Sequence, residues 1–144
     1  MAETQNYGNH VRWFPLFHFV LVPLLTLNFL YQAFRLYQEP SLDRAVWVVM
    51  CLVFVLMISV ARLQALKAQD RVIRLEERLR YKELLSPDLN RKAESLRIGQ
   101  IIALRFASDE ELPGLVERTL NGEFAKPKDI KIAVKTWRGD YLRV

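Results

Sequence analysis

Charge is what the first part of this chain lacks. From Trp13 to Phe34 ("WFPLFHFVLVPLLTLNFLYQAF") twenty-two residues carry no formal charge, with His18 counted as neutral. Cysteine occurs once, at Cys51 within an apolar run, so no intrachain disulfide is possible and no oxidising compartment is implied. Histidine occurs only at His10 and His18, both on the N-terminal side. The sequence holds no Gly-rich phosphate loop, no His/Cys/Asp/Glu metal spacing and no nucleophile elbow. Ser59 and Cys51 have no base near them in sequence, and the carboxylates stand in helix-capping or ion-pair contexts. These absences argue against an enzyme, a metal site and a bound cofactor.

What is present is two apolar runs followed by a charged half. Only Arg12, Arg35 and Arg44 of the 21 basic residues precede Ala61, and three of the 16 acidic ones do, so the remainder carries 18 minus 13, or +5. Twenty-two helical residues reach about 33 Å, enough for a hydrocarbon core of roughly 30 Å. A signal peptide is the rival reading of the first run, but its apolar region would be shorter and Tyr31-Gln32-Ala33 is a poor cleavage site. The second run, "AVWVVMCLVFVLMISVA", is bracketed by Arg44 and Arg62, which can snorkel to headgroups. Spans are expected at about 14–35 and 45–61, joined by a Glu-Pro-Ser turn in "LYQEPSLD". Arg62, Lys67, Arg71, Arg74 and Arg78 crowd the far side of the second span. The positive-inside rule therefore puts both termini in the cytoplasm and the tight loop outside.

Within the first span, Pro23 frees the carbonyl near Phe19, and a kink is expected there. His18, Leu21, Leu25, Asn28 and Gln32 share one helical face. The polar members, His18, Asn28 and Gln32, call for partners in hydrocarbon, so interhelical hydrogen bonding is the expectation. His18 as an axial haem ligand or proton carrier is the sharper alternative, weakened because no second histidine faces it.

The second span continues into charge without Gly, Pro or a turn signal, and one helix is expected from about Asp43 to about Leu85. One stripe of it runs Trp47, Cys51, Phe54, Ile58, Ala61, Ala65, Ala68, Val72, Leu75, Leu79, alternating steps of 4 and 3. Past Ala61 charges surround this stripe, yet none falls on it. Ala61, Ala65, Ala68, Val72, Leu75 and Leu79 therefore read as a coiled-coil-like docking seam. Its occupant could be the chain's own C-terminal helices, the same helix of another subunit, or a different protein; packing within the chain is favoured. Acid-first pairs four apart, Asp70 with Arg74 and Glu76 with Arg80, add support.

The remainder reads as a small helical appendage. Ser86 with Pro87 starts a new helix, and "IGQIIALRFA" offers a buried face. Ser108-Asp109-Glu110-Glu111 reads as a capping box. The helix after it stops at Asn121-Gly122. A last helix from Lys126-Pro127 would carry Ile130, Ala133, Val134 and Trp137 on one face. Such a segment is too small for a large core of its own, which is a reason for it to pack on the stalk. Three regions result: residues 1–62 with the hairpin, stalk 63–85, and appendage 86–144. The fold class is all-α.

Four stretches, "QNYGNHVRWFPLFHF", "ALKAQDRVIRLEERLR", "LRFASDEELPGLVERTL" and "VKTWRGDYLRV", together resemble an uncharacterised bacterial family of short two-span membrane proteins. The resemblance covers nearly the whole chain. It implies a bacterial cytoplasmic-membrane protein and no activity. On these stretches Gln69, Asp70, Arg71, Arg105, Asp109, Trp137 and Arg138 form the candidate polar surface. It would serve either to meet a partner or to fasten the appendage, with Arg105 or Arg138 pairing Asp70 or Asp109. The Arg-Gly-Asp triplet at 138–140 reads as chance. The expected role is a structural or accessory protein in contact with the bilayer, in a homo-oligomer or a larger membrane complex. The alternative is a tethered binder of anionic lipid or nucleic acid. Interleaved Asp70, Glu76, Glu77 and Glu83 dilute the positive field, so a nucleic-acid partner is not favoured.

Overall fold

The structure, a computed structural model, describes residues 5–11 and 13–141. Among these the elements are helical: a π-helical stretch Leu16–Leu21, α1 (Val22–Gln38), α2 (Leu42–Leu84), α3 (Pro87–Ala93), α4 (Ile98–Leu104), α5 (Leu112–Leu120) and α6 (Pro127–Ala133). Contacts divide the chain into two compact units. One is Trp13–Leu66; the other joins residues 5–11 to residues 67–141. α2 contributes to both. The N-terminal residues 5–11 thus belong with the charged half, not with the apolar hairpin to which sequence position assigned them.

In the first unit, Leu16–Gln38 and the leading part of α2 are each long and apolar enough to cross a membrane. α1 has no buried residue. Ahead of Pro23, where the sequence predicts a kink, the helix is π-helical over Leu16–Leu21. The Val22 N–H reaches back five residues to the Phe17 carbonyl, a widened turn of the kind that accommodates a missing proline donor. The connection between the helices is fastened by Arg44, which donates to the Glu39 carbonyl at 2.7 Å and the Arg35 carbonyl at 3.3 Å and pairs with the Glu39 carboxylate. Asn28 Nδ2 donates to Cys51 Sγ at 3.1 Å, an interhelical bond across the hairpin. The shielded face of α2 here follows Val48, Cys51, Val55 and Ile58. The sequence stripe ran instead through Trp47 and Phe54, which are 59% and 40% exposed. Where every residue is apolar, hydrophobicity cannot choose between adjacent stripes.

In the second unit a core forms around Leu96, Ile101, Leu104, Leu112, Leu115, Val116, Ile130 and Val134, and α2 inserts Tyr81 and Leu85 into it. Local signals position the short helices. Ser86 Oγ accepts from the Leu89 N–H at the start of α3. The first-turn side chains Gln100 and Asp129 accept from the Arg97 and Lys126 N–H groups at the starts of α4 and α6. α5 ends at Asn121 with Gly122 at φ 77°, and the Gly122 N–H closes onto the Thr119 carbonyl.

Two expected helices are shorter than the periodicity suggested. α4 stops at Leu104, and α6 stops at Ala133. Val134 and Trp137 are therefore not helical: Val134 is extended, the chain bends at Lys135 and Thr136, and Ala107 and Trp137 form an isolated antiparallel bridge. The Ser108 N–H donates to the Thr136 carbonyl at 3.1 Å and the Arg138 N–H to the Phe106 carbonyl at 2.8 Å. Val and Trp suit extended backbone, and these backbone groups find partners outside a helix. The capping box is also reassigned. Ser108 Oγ accepts from the Glu111 N–H at 3.3 Å, but the Glu111 carboxylate turns to the Lys135 and Thr136 N–H groups. α5 consequently begins at Leu112, with Pro113 in its first turn, where its missing donor costs no bond.

Candidate functional site

Buried charge marks the place to look, because an ionised group out of water must be paired or solvated by the protein. Glu77, Arg80 and Arg105 are 4%, 8% and 6% exposed. Arg80 is the centre. Its Nε and Nη2 donate to Asp109 Oδ1 at 2.8 and 2.5 Å, Nη2 also donates to the Ala107 carbonyl at 2.7 Å, and Nη1 reaches Glu77 Oε2 at 3.3 Å. The other Glu77 oxygen faces Arg138 at 3.6 Å. Arg105 Nε pairs with Asp140 Oδ2 at 3.0 Å. A cavity of about 580 Å³ lies among Ile73, Glu77, Arg80, Arg105, Arg138 and Asp140. Burial pushes the Glu77 carboxyl above the ordinary carboxylate range, against the pull of Arg80 and Arg138.

An aromatic layer backs the charges. The Arg105 guanidinium lies 4.4 Å from the Phe106 ring centre, a cation–π distance. Phe106 and Trp137 have ring centres 4.7 Å apart, and His10 stands 5.8 Å from each. Tyr7 stacks on His10 at 5.5 Å, and the Asp140 N–H donates to Gln5 Oε1 at 2.7 Å. The segment around residues 5–10 is thereby fastened to the same site. Tyr81 packs nearby, 2% exposed, with a hydroxyl that has no partner among the described residues. Burial and the adjacent Glu77 raise its pKa.

Of the residues singled out from sequence, Arg105, Asp109, Trp137 and Arg138 come together here. The pairing differs from expectation: Asp109 binds Arg80, Arg105 binds Asp140, and Arg138 meets Glu77. Asp140 of the Arg-Gly-Asp triplet, read as chance, thus holds Arg105. Gln69 and Asp70 are half-buried and Arg71 is exposed, and Asp70 has no ion pair among the described residues. Arg80 pairs with Glu77 three residues back, not with Glu76. In the hairpin, His18 Nδ1 lies 3.0 Å from the Phe14 carbonyl of its own helix start, with Trp13 and Phe17 against its ring. Gln32 is half-buried and makes no interhelical bond among the described residues.

The occupant favoured for the docking seam, the chain's own C-terminal helices, is not found there. Ala61, Ala65 and Ala68 are exposed, and Val72, Leu75 and Leu79 are 54%, 62% and 54% exposed. The appendage packs on the opposite side of α2, at Ile73, Glu77, Arg80, Tyr81, Leu84 and Leu85. Ile73, Glu77, Arg80 and Leu84 repeat the same 4,3,4 spacing as the seam. Two charges stand on that stripe, and for that reason sequence reasoning passed over it. Only their partners on other segments make their burial tolerable.

The arrangement is suited to holding segments together: three arginines and three carboxylates join α2, the 105–109 segment and the 138–140 segment. No group of three or more His, Cys, Asp or Glu residues suited to a metal ion occurs among the described residues. No curated protein and no solved structure is detectably similar to the chain. A family model described as a family of unknown function (DUF6526) matches residues 1–144, and the chain belongs to that family.

Proposed function

We propose that the chain is an integral membrane protein of the accessory or scaffold kind, carrying no chemistry of its own and presenting a charged helical module on the cytoplasmic side of a bacterial inner membrane. The observation that carries this reading is the pairing of two opposite surfaces on one polypeptide. The helices of the first unit leave Leu24, Leu27, Leu30, Phe34, Val49, Leu52 and Leu56 exposed, a surface that water disfavours and lipid accepts. The second unit instead directs its buried charges into pairs that fasten its own segments, which is the use expected of a module built to be rigid. Basic residues from Arg62 to Arg78 follow the second apolar run, and this supports cytoplasmic termini.

Alkaline carbonate extraction of membranes should leave the protein in the pellet. A cysteine placed at Ser41 should react with an impermeant maleimide from outside, and one placed at Ser86 only after permeabilisation. Recovery in the soluble fraction, or labelling of Ser86→Cys in intact cells, would refute the reading.

A further inference from the structure

The face of α2 turned away from the appendage has the pattern of a parallel two-stranded coiled coil. Set Ala65, Val72 and Leu79 as the first apolar position of successive heptads, and Ala68 and Leu75 become the fourth. The residues covered by the appendage, Ile73, Glu77, Arg80, Tyr81 and Leu84, then fall at the outward positions b, c and f, and Leu85, at g, lies past the end of the seam. These are the positions a coiled-coil partner leaves free. One surface of the helix thus serves the chain's own tail and the other stays open, although α3 borders the last seam positions, where Leu75 and Leu79 share a cavity of about 290 Å³ with Asn90 and Glu94.

The charges beside the open seam choose the occupant. Arg71 and Arg78 fall at position g, and Glu76 and Glu83 at position e. In a parallel pair, each g residue faces the e residue five positions later on the other helix, so Arg71 meets Glu76 and Arg78 meets Glu83, four pairs over the symmetric interface. In an antiparallel pair g faces g and e faces e, which sets arginine on arginine and glutamate on glutamate. Among the described residues none of these four makes an ion pair within the chain. Val at the first apolar position with Leu at the fourth favours two strands.

We propose that this seam is the homodimer interface of the protein: a second copy docks in parallel along Ala68–Leu79, with Arg71–Glu76 and Arg78–Glu83 pairs across it. The proposal deepens the scaffold reading and rests on it in one respect: two helices leaving the same membrane must run parallel, the direction the charges independently select. Lys82, at the next fourth position, ends the apolar seam.

Leu75→Cys and Leu79→Cys, each in a Cys51→Ala background, should give disulfide-linked dimers under mild oxidation in native membranes. The yield should be at least five-fold above Arg74→Cys and Lys67→Cys, whose positions point outward. Two differently tagged chains provide the second arm. One carries Arg71→Glu and Arg78→Glu, the other Glu76→Lys and Glu83→Lys, each with Leu75→Cys. Crosslinks should form between the two chains and fall several-fold within each. Equal yields at Leu75 and Arg74, equal yields in all three charge combinations, or crosslinking of Leu75→Cys to a different protein in place of its copy would overturn the proposal. Carbonate extraction of the same membranes reports separately on the anchor. A protein that stays in the pellet yet fails to crosslink refutes the dimer alone.

Discussion

Removing the Arg80 side chain should loosen the second unit more than any other single truncation of a charged residue. The substitution Arg80→Ala withdraws the guanidinium from three partners, Glu77 on its own helix and Asp109 and the Ala107 carbonyl on the 105–109 segment. Asp109, whose side chain is 65% exposed, regains water at little cost. Glu77, with a side chain 5% exposed, does not, and the Ala107 carbonyl loses its 2.7 Å donor. Breaking a buried pair by removing one partner costs about 3–5 kcal/mol. Glu77 already binds its proton more tightly than an ordinary carboxylate. It can therefore escape the worst of the burial by protonating, which puts the expectation at the low end, about 3 kcal/mol. Against a domain stability of about 5–15 kcal/mol that is a large fraction. For a unit of this size it corresponds to a fall of roughly 10–25 °C in the melting midpoint. The assay is thermal unfolding followed by circular dichroism on the full chain in mild detergent, for the wild type, Arg80→Ala, Glu77→Gln and the double variant. The double variant should be less destabilised than the sum of the singles, by about 1–3 kcal/mol, because the neutral amide no longer needs the cation. A melting midpoint for Arg80→Ala within 3 °C of wild type, or strict additivity, would refute the reasoning.

Three further outcomes are expected. Because the folded pKa of Glu77 is raised, its contribution to stability is complete below the unfolded value near 4.5 and is lost as pH rises through the higher folded value. Melting profiles across this range should thus show a stability loss with rising pH that Glu77→Gln lacks. Tyr81→Phe removes a buried hydroxyl that has no described partner, so chemical denaturation should find it neutral to about 1 kcal/mol more stable. Tyr81→Ala should instead lose about 3–5 kcal/mol. Gly122→Ala forces a side chain into positive φ and should cost about 1–2 kcal/mol, whereas Gly114→Ala, within α5 and with open space at its Cβ, should not destabilise.

The N-terminal strap shows how far a residue's place can depart from its neighbourhood in sequence. Gln5, Tyr7 and His10 precede an apolar run, yet they lie on the aromatic and charged site formed by Phe106, Trp137 and Asp140. His10 was visible only as a histidine without a motif. Nothing local distinguishes a strap from a tail, because its energy resides in contacts with residues about a hundred positions away. The same holds for Val134 and Trp137. Their 3.6-residue spacing suits a helix, but bonds between the Phe106–Ser108 and Thr136–Arg138 backbones outweigh that preference.

By itself the sequence determined the two apolar runs, the unbroken helix leading from the second, the cap at Ser86, the stop at Gly122 and the all-α class. Each of these follows from hydropathy, or from backbone chemistry spanning a few residues. Tertiary structure alone decided which side of α2 the tail would cover. Two stripes of that helix share one spacing, and the more apolar of them was the natural choice. The tail took the stripe bearing Glu77 and Arg80, because Asp109, the Ala107 carbonyl and Arg138 arrive from elsewhere to neutralise it. A buried charge is prohibitive or tolerable according to its partners, and partners distant in the chain are what a local reading of sequence cannot supply.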